Sequence, residues 1–316
     1  MNKYNILITG GAGFIGSHLV KHYLEKEEVD KVIVIDALYI GGSTDNLPID
    51  NDKLELIVMD LNNEKLEEEI DKYEPKYVVH MAAHTHVDRS IENGIPFGRS
   101  NVMGTINLME SLKNKEYLEK ILVFSTDETL GVRLEGEMYE DDKLTPRNVY
   151  SASKAGQEMM ADGYRITHKT PCVISRCSNA YGPNQWPEKL LPVIINKVLK
   201  GEKIPVYGKG DQLREWTYVK DICRAVETIL KKSEIGQIWH ISSNEEKVNL
   251  DVIKYVVKKL GKDPNDFIEF VEDRKGHDFR YCLNCARLKE AGWKPEFDFE
   301  DGMKETIEWY VKKINS

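Results

Sequence analysis

Residues 8–19 read ITGGAGFIGSHL, with Gly10, Gly13 and Gly16 three residues apart. They follow the apolar run YNILIT (4–9) and open the amphipathic stretch SHLVKHYLEKE (17–27). Glycines at a strand-to-helix turn let the backbone turn tightly and approach a pyrophosphate, while the free N–H groups of the following helix face its charge. Asp36 closes the next apolar run, KVIVID (31–36), at the distance where an acid accepts hydrogen bonds from the adenosine ribose. The same acid repels a 2'-phosphate, so the expected cofactor is NAD rather than NADP. Strand, glycines, helix and acid all agree, which an ordinary glycine turn does not require.

Working outward, LELIVMD (54–60), KYVVHMAA (76–83) and KILVFST (120–126) repeat the short, branched, apolar pattern of buried strands. Helix-like segments such as NVMGTINLMESLKN (101–114) lie between them. This alternation implies a parallel sheet covered on both faces. CVISR (172–176) continues it, and QIWHISS (237–243) reads as a late return to the sheet. Between and after these, Gly- and Pro-bearing loops, YGPNQWPEK (181–189) and IPVYGKGDQ (204–212), separate helices. The expected fold class is α/β, a Rossmann-like doubly wound parallel sheet with a smaller, interleaved α/β substrate domain. The NAD-binding unit is expected over 1–180 plus about 217–242, and the smaller companion unit over about 181–216 plus 243–316.

Composition narrows the function classes. A chain of 316 residues with 41% hydrophobic content can bury a large core, and its size favours a companion unit. A net charge of -9 argues against a general nucleic-acid binder, which shows a basic face. No apolar run approaches the roughly 20 residues of a membrane helix, and the first residues carry no signal-peptide pattern. A cytoplasmic protein is therefore expected, with neither nucleic acid nor membrane as partner. CLNC (282–285) is a lone C-x-x-C, and His84 and His86 lack a third ligand, so no metal is expected.

Two further patterns carry chemistry. Tyr150 and Lys154 in YSASK (150–154) stand four apart, on one helix face. In STDETLG (125–131) two acids, Asp127 and Glu128, are adjacent at the end of a strand. The glycine spacing and Tyr-x-x-x-Lys resemble the extended short-chain dehydrogenase/reductase superfamily, in which Tyr deprotonates a substrate hydroxyl and Lys binds the nicotinamide ribose. Lowering a Tyr pKa from about 10 to about 7 takes roughly 4 kcal/mol, which one cation at about 4 Å supplies at an effective dielectric of about 20. Adjacent carboxyls repel, and repulsion drives their pKa values apart. One can then act as acid and the other as base, each contributing about 10²- to 10⁴-fold.

HVDRSIENGIPF (86–97), NVMGT, STDE, YSASK, RCSNAYGPNQWPEKLLP (176–192), IPVYGKGDQLREWTYVKD (204–221) and DRKGHDFRY (273–281) together resemble the nucleotide-sugar 4,6-dehydratases. The likeness runs from Ile6 to Tyr310. It implies that Tyr150 takes the C4 hydroxyl proton as hydride leaves to NAD, with Thr126 hydrogen-bonding the same hydroxyl. Glu128 would remove the C5 proton, Asp127 would protonate the departing C6 oxygen, and hydride would return to C6. The implied cofactor set is Gly10, Gly13, Phe14, Ile15, Gly16, Asp36, Asp60, Leu61, Ala82, Ala83, Asn101, Tyr150 and Lys154. The implied substrate set is His84, Asn179, Lys189, Leu190, Tyr207, Arg214, Asn249, Arg274 and His277, with Tyr207 near the base. Arg214 and Arg274 suit phosphate because a guanidinium fork matches two oxygens.

The likeness has gaps. The branch acting on dTDP-glucose usually has Val-Tyr where this chain has Thr129 and Leu130, Glu at His84, Asn at Ala180, and Tyr and Phe around Asn184 and Trp186. Read as sugar-facing changes, these open the alternative of a UDP-N-acetylglucosamine 4,6- or 5,6-dehydratase. A nucleotide-sugar 4-epimerase and a non-catalytic NAD-sensing protein are the remaining alternatives, and neither needs the two acids. Helices near 98–115 and 150–167 carry Ile106, Leu108, Met109, Met159 and Met160. Some of these face the sheet, and the rest are expected to pair with a second copy in a homodimer.

Overall fold

The computed structural model describes residues 3–273 and 278–315. Its strands, in chain order, are β1 (Tyr4–Thr9), β2 (Val29–Asp36), β3 (Leu54–Val58), β4 (Tyr77–His80), β5 (Lys120–Thr126), β6 (Cys172–Cys177), β7 (Asn179–Tyr181), β8 (Ile204–Tyr207), β9 (Leu213–Tyr218), β10 (Ile238–Ile241), β11 (Glu246–Val248) and β12 (Ile268–Val271). The helices are α1 (Phe14–Leu24), α2 (Leu66–Asp71), α3 (Val87–Glu92), α4 (Ile95–Phe97), α5 (Gly104–Leu112), α6 (Val149–His168), α7 (Leu190–Lys200), α8 (Val219–Lys232), α9 (Asn249–Lys259), α10 (Ala286–Glu290) and α11 (Phe299–Asn315).

Seven strands form one sheet in the order β10-β6-β5-β4-β1-β2-β3, and every pair is parallel. Successive side chains of a strand point to opposite faces, and β1 shows the result. Ile6 and Ile8 pack with Leu19 and Val20 of α1 and Ile222 and Val226 of α8. Leu7 packs on the other side with Leu66 of α2 and Leu108 and Leu112 of α5. Both faces are therefore covered, which is why β5 is buried along its whole length and is apolar from Ile121 to Phe124. The fold is the expected Rossmann-like doubly wound α/β sheet. Strand order reverses at β1, which lies between β2 and β4, so a ligand crevice opens above the carboxyl ends of β1 and β4.

A second core gathers Leu191, Ile194 and Ile195 of α7, Val252, Ile253 and Val256 of α9, and Met303 and Ile307 of α11. Two small sheets border it, β11-β9-β7 and β12-β8. The chain is interleaved: β10 joins the large sheet after β8 and β9 have been laid down elsewhere, and Leu288 and Trp293 return to pack against Ile222 and Trp239. Residues 98–103 form π-helical turns that join α4 to α5 without a break.

Candidate active site

The crevice is shaped by backbone. Gly10 has φ +72°, and a Cβ there would stand 2.7 Å from the backbone of Ala82. At Gly16 a Cβ would collide with the Gly10 carbonyl. Gly13 caps α1, whose first N–H groups point into the space so cleared. Asp36 lies at the opposite wall, accepting from the N–H of Ala12 at 2.9 Å and of Leu38 at 2.8 Å, and burial raises its pKa against the pull of those bonds. Bare backbone, a helix N-terminus and a carboxylate in this order suit a dinucleotide's diphosphate and ribose.

A cavity of about 730 Å³ runs from this crevice into the second unit. Of the cofactor set, Gly10, Gly13, Phe14, Ile15, Gly16, Asp36, Ala82, Ala83, Tyr150 and Lys154 line it. Asp60 and Leu61 do not: Asp60 accepts from Tyr39 Oη at 2.9 Å and Asn62 N at 2.7 Å, and Leu61 is core. Asn101 stands behind the lining and fixes it. Its Oδ1 accepts from His84 N at 2.8 Å, and its Nδ2 donates to His84 O at 3.0 Å and Ser153 Oγ at 2.8 Å.

The two acids sit where β5 ends. Thr126 caps the short 3₁₀ turn 127–130, accepting from Glu128 N at 3.3 Å and donating to Asp127 Oδ1 at 3.0 Å. Burial drives the Asp127 carboxyl well above the carboxylate range, and the charge of Glu128 adds to this. Burial also raises Glu128, but Lys189 and the Asn148 amide, 3.3 Å from Oε2, restrain it. Both carboxyls are thus raised by burial, opposed at Asp127 by the Thr126 hydroxyl and the Arg214 charge and at Glu128 by Lys189 and Asn148.

Asn148 caps α6, accepting from Ser151 N at 2.8 Å, and so presents Tyr150 and Lys154 on the buried side of the first turns. Burial brings the Lys154 ammonium down to about 7, with Glu158 opposing. Its Nζ donates to Phe124 O at 2.7 Å and also meets Gln157 Oε1. Burial and then Glu128 push the Tyr150 phenol well up, and a hydrogen bond from Thr126 restrains it. The expectation that Lys154 lowers the phenol pKa is not met: the ammonium is spent on Phe124 and Gln157, and burial dominates.

On the substrate side His84, Asn179, Lys189, Leu190, Arg214 and Asn249 all line the cavity. Arg214 holds the 278–279 segment through Asp278 O at 2.7 Å and Phe279 O at 3.0 Å, and its guanidinium stacks 4.9 Å from the Tyr281 ring. The buried Oδ1 of Asn249 has no hydrogen-bond partner among the described residues. Tyr207 ends β8 outside the lining, and Arg274 and His277 lie outside the described residues. Across the mouth, Arg89 clasps Glu188 through Nε at 3.1 Å and Nη2 at 2.5 Å, and His86 meets the same carboxylate at 3.3 Å.

Three of the sequence departures, Thr129, Leu130 and Asn184, do not line the cavity. Thr129 is fully buried, and Leu130 packs with Met138, Tyr281 and Leu283, because the 3₁₀ turn rotates both side chains inward. His84, Ala180 and Trp186 do line the cavity, whereas Asn184 does not. Sequence reasoning missed Asp278, Tyr281 and Asn148, which also line it. Asn148 was open to recognition as an Asn preceding a helix, and Asp278 and Tyr281 belong to the motif at 273–281. Among the described residues no group of three or more His, Cys, Asp or Glu is arranged to hold a metal ion.

The family model described as GDP-mannose 4,6 dehydratase matches residues 7–306. The chain belongs to the nucleotide-sugar 4,6-dehydratases of the extended short-chain dehydrogenase/reductase class. Among relatives, it is 40% identical to the low-salt glycan biosynthesis protein Agl12 of Haloferax volcanii, over 97% of this chain and 98% of that protein. It is 39% identical to a dTDP-glucose 4,6-dehydratase of an Actinoplanes species, over 96% and 97% of the two chains. Among solved structures, DesIV, the dTDP-glucose 4,6-dehydratase of Streptomyces venezuelae with NAD and TYD bound, superposes with a TM-score of 0.93 at 36% identity, covering 98% of each chain. As a member of this family, the dehydratase is a hydro-lyase.

Proposed function

We propose that this dehydratase removes water across C5 and C6 of a nucleotide sugar, using tightly held NAD and giving a 4-keto-6-deoxy product. The observation that carries the reading is the buried Asp127-Glu128 pair beside Tyr150, with both carboxyls raised by burial. A 4-epimerase or an NAD sensor has no use for such a pair, and burying it carries a cost.

Bound NAD supplies a hydride acceptor for C4 and the hydride later returned to C6. The chain's own residues do the rest. Tyr150, steadied by Thr126, would accept the C4 hydroxyl proton as a phenolate, the positive charge of the bound nicotinamide opposing the rise that burial causes, and Lys154 would bind the cofactor ribose. Glu128 takes the C5 proton that the C4 ketone acidifies, and protonated Asp127 delivers its proton to the C6 oxygen as it leaves. Gly10, Gly13, Gly16 and the start of α1 receive the diphosphate of NAD, and Asp36 its ribose. Asn179, Lys189, Arg214 and Asn249, with Arg274 and His277, bind the nucleotide diphosphate, and the buried Asn249 Oδ1, which meets no donor among the described residues, supports this. The division 1–180 with about 217–242, against about 181–216 with 243–316, separates cofactor from nucleotide-sugar binding. The enzyme works in the cytoplasm as a homodimer.

One observation favours a second sugar. His84, Ala180 and Trp186, which depart from the dTDP-glucose pattern, line the cavity, so UDP-N-acetylglucosamine is a candidate beside glucose. The test is separate incubation of the purified protein with dTDP-glucose, UDP-glucose and UDP-N-acetylglucosamine, followed by product mass and proton NMR. Loss of one water with a new C6 methyl signal is expected. An alkene at C6 would place the hydride back on C4, and inversion at C4 without mass change would overturn the dehydratase reading.

A further inference from the structure

Beneath the acid-bearing turn lies a carboxylate that the mechanism above does not use. Glu158 of α6 is 2% exposed and faces Arg176 of β6, also 2% exposed. Arg176 Nε and Nη2 donate to Glu158 Oε2 at 3.1 and 2.9 Å, and its Nη1 donates to Glu140 O at 3.0 Å. Glu158 Oε1 accepts from two hydroxyls on the segment that carries the acids, Ser125 Oγ at 2.5 Å and Thr129 Oγ1 at 3.1 Å. Thr129 Oγ1 also donates to Thr126 O at 2.8 Å. Glu158 is four residues beyond Lys154, one turn along the same face, and its charge opposes the loss of the Lys154 proton on burial.

We propose that Glu158 is a positioning residue: clamped by Arg176, it holds the Ser125–Thr129 segment in place for Asp127 and Glu128 and presents a negative charge to Lys154. One carboxylate thereby ties the elimination acids to the Tyr-Lys pair. The valine usual at position 129 in the dTDP-glucose branch cannot make this contact, so the threonine here has a role that its distance from the sugar hides. A bare Arg-Glu pair in a core is on average a weak source of stability, which leaves positional and electrostatic use as the reason for its burial.

The charges facing this centre come from several elements. His80 of β4 senses Lys154. Arg176 comes from β6, Asp127 and Glu128 from the turn after β5, and Tyr150 from α6 itself. Asp88, Arg89 and Glu92 of α3 lie further out, with Arg89 paired to Glu188. Arg99 of the π-helical turn is exposed, and Glu110 of α5 is paired with Lys113. Glu158 is the one carboxylate among them that counts in the Lys154 balance.

The inference rests on the proposed function, and two readouts separate them. The first is the Lys154 titration itself, followed by ¹³Cε NMR in lysine-labelled protein and assigned by loss of the signal in Lys154→Met. In Glu158→Gln the midpoint is expected to fall by about one pH unit or more, and in Glu158→Asp, which keeps the charge, to return toward the parent value. The second is the kcat and KM profile against pH. Glu158→Gln is expected to lose roughly tenfold to hundredfold in kcat at near-parent KM, with the alkaline limb moved to lower pH. Thr129→Val, which removes one hydroxyl contact, is expected to lose a few-fold in kcat with the Lys154 midpoint unmoved. Should Glu158→Gln fail to fold, Glu158→Gln with Arg176→Met removes both charges and takes its place. An unmoved Lys154 midpoint in the charge-removing variant overturns the inference whether or not the protein dehydrates any sugar. An inactive parent enzyme overturns the proposed function alone.

Discussion

Asp127 is where the chemistry and the stability of this protein meet in one side chain. Asp127→Asn is expected to lose about 10²- to 10⁴-fold in water elimination while still exchanging the C5 proton with solvent deuterium, and Glu128→Gln is expected to lose both. Mass spectrometry of the sugar in D₂O reads the two apart, and equal loss of exchange in both variants would contradict the division of roles. The Asp127 pKa is raised in the folded protein, so above the ordinary carboxylate value the native state holds a proton that the unfolded chain has released. Stability contributed by that proton is present at low pH and falls as pH rises through this window. Asp127→Asn removes the effect, so its Tm advantage over the parent is expected to be larger at pH 8 than at pH 5, and a constant gap would refute this. Residues of this kind were legible because their spacing carries meaning: glycines at a strand end, Asp36 one strand later, Tyr and Lys one helical turn apart. Thr129 and Leu130 were misread because nothing in their spacing reveals a 3₁₀ turn that rolls both side chains into the core.

The large strands were legible as elements, since a strand buried on both faces is predominantly apolar. β1 and β5 run over the expected residues, 4–9 and 120–126. The strands β7, β8, β9, β11 and β12 were not, being three to six residues long and paired with partners far along the chain. The π-helical stretch 98–103 was equally hidden, because it is held by a tertiary contact, the Asn101 amide on both backbone groups of His84. Asn101→Ala leaves those groups and Ser153 without that partner, at a cost of roughly 1–3 kcal/mol. A lower Tm and weaker NAD retention on gel filtration are expected together, because the freed segment, 82–84, lines the cavity. A lower Tm with full NAD content would confine Asn101 to a structural role.

At the scale of the whole molecule, the apolar helix residues divide as the sequence suggested without saying which is which. Leu108 and Met109 are fully buried in the core, whereas Met159 and Met160 are 63% and 41% exposed, with Met103, Val149 and Ile166 also exposed. Sedimentation is expected to show a dimer at micromolar concentration, and Met159→Glu with Met160→Glu to shift it to monomer. A parent protein that sediments only as monomer would refute the homodimer. The late entry of β10 into the large sheet has a consequence in time. As the chain leaves the ribosome, β6 is complete while the strand that will cover its outer edge is still dozens of residues from being made. At about 5–20 residues per second this leaves an open, apolar strand edge for several seconds, and such an edge is a template for pairing with another chain. A fragment ending at residue 180 is therefore expected to precipitate where one ending at 245 stays dispersed, and equal solubility of the two would show that the nascent chain shields β6 by other means.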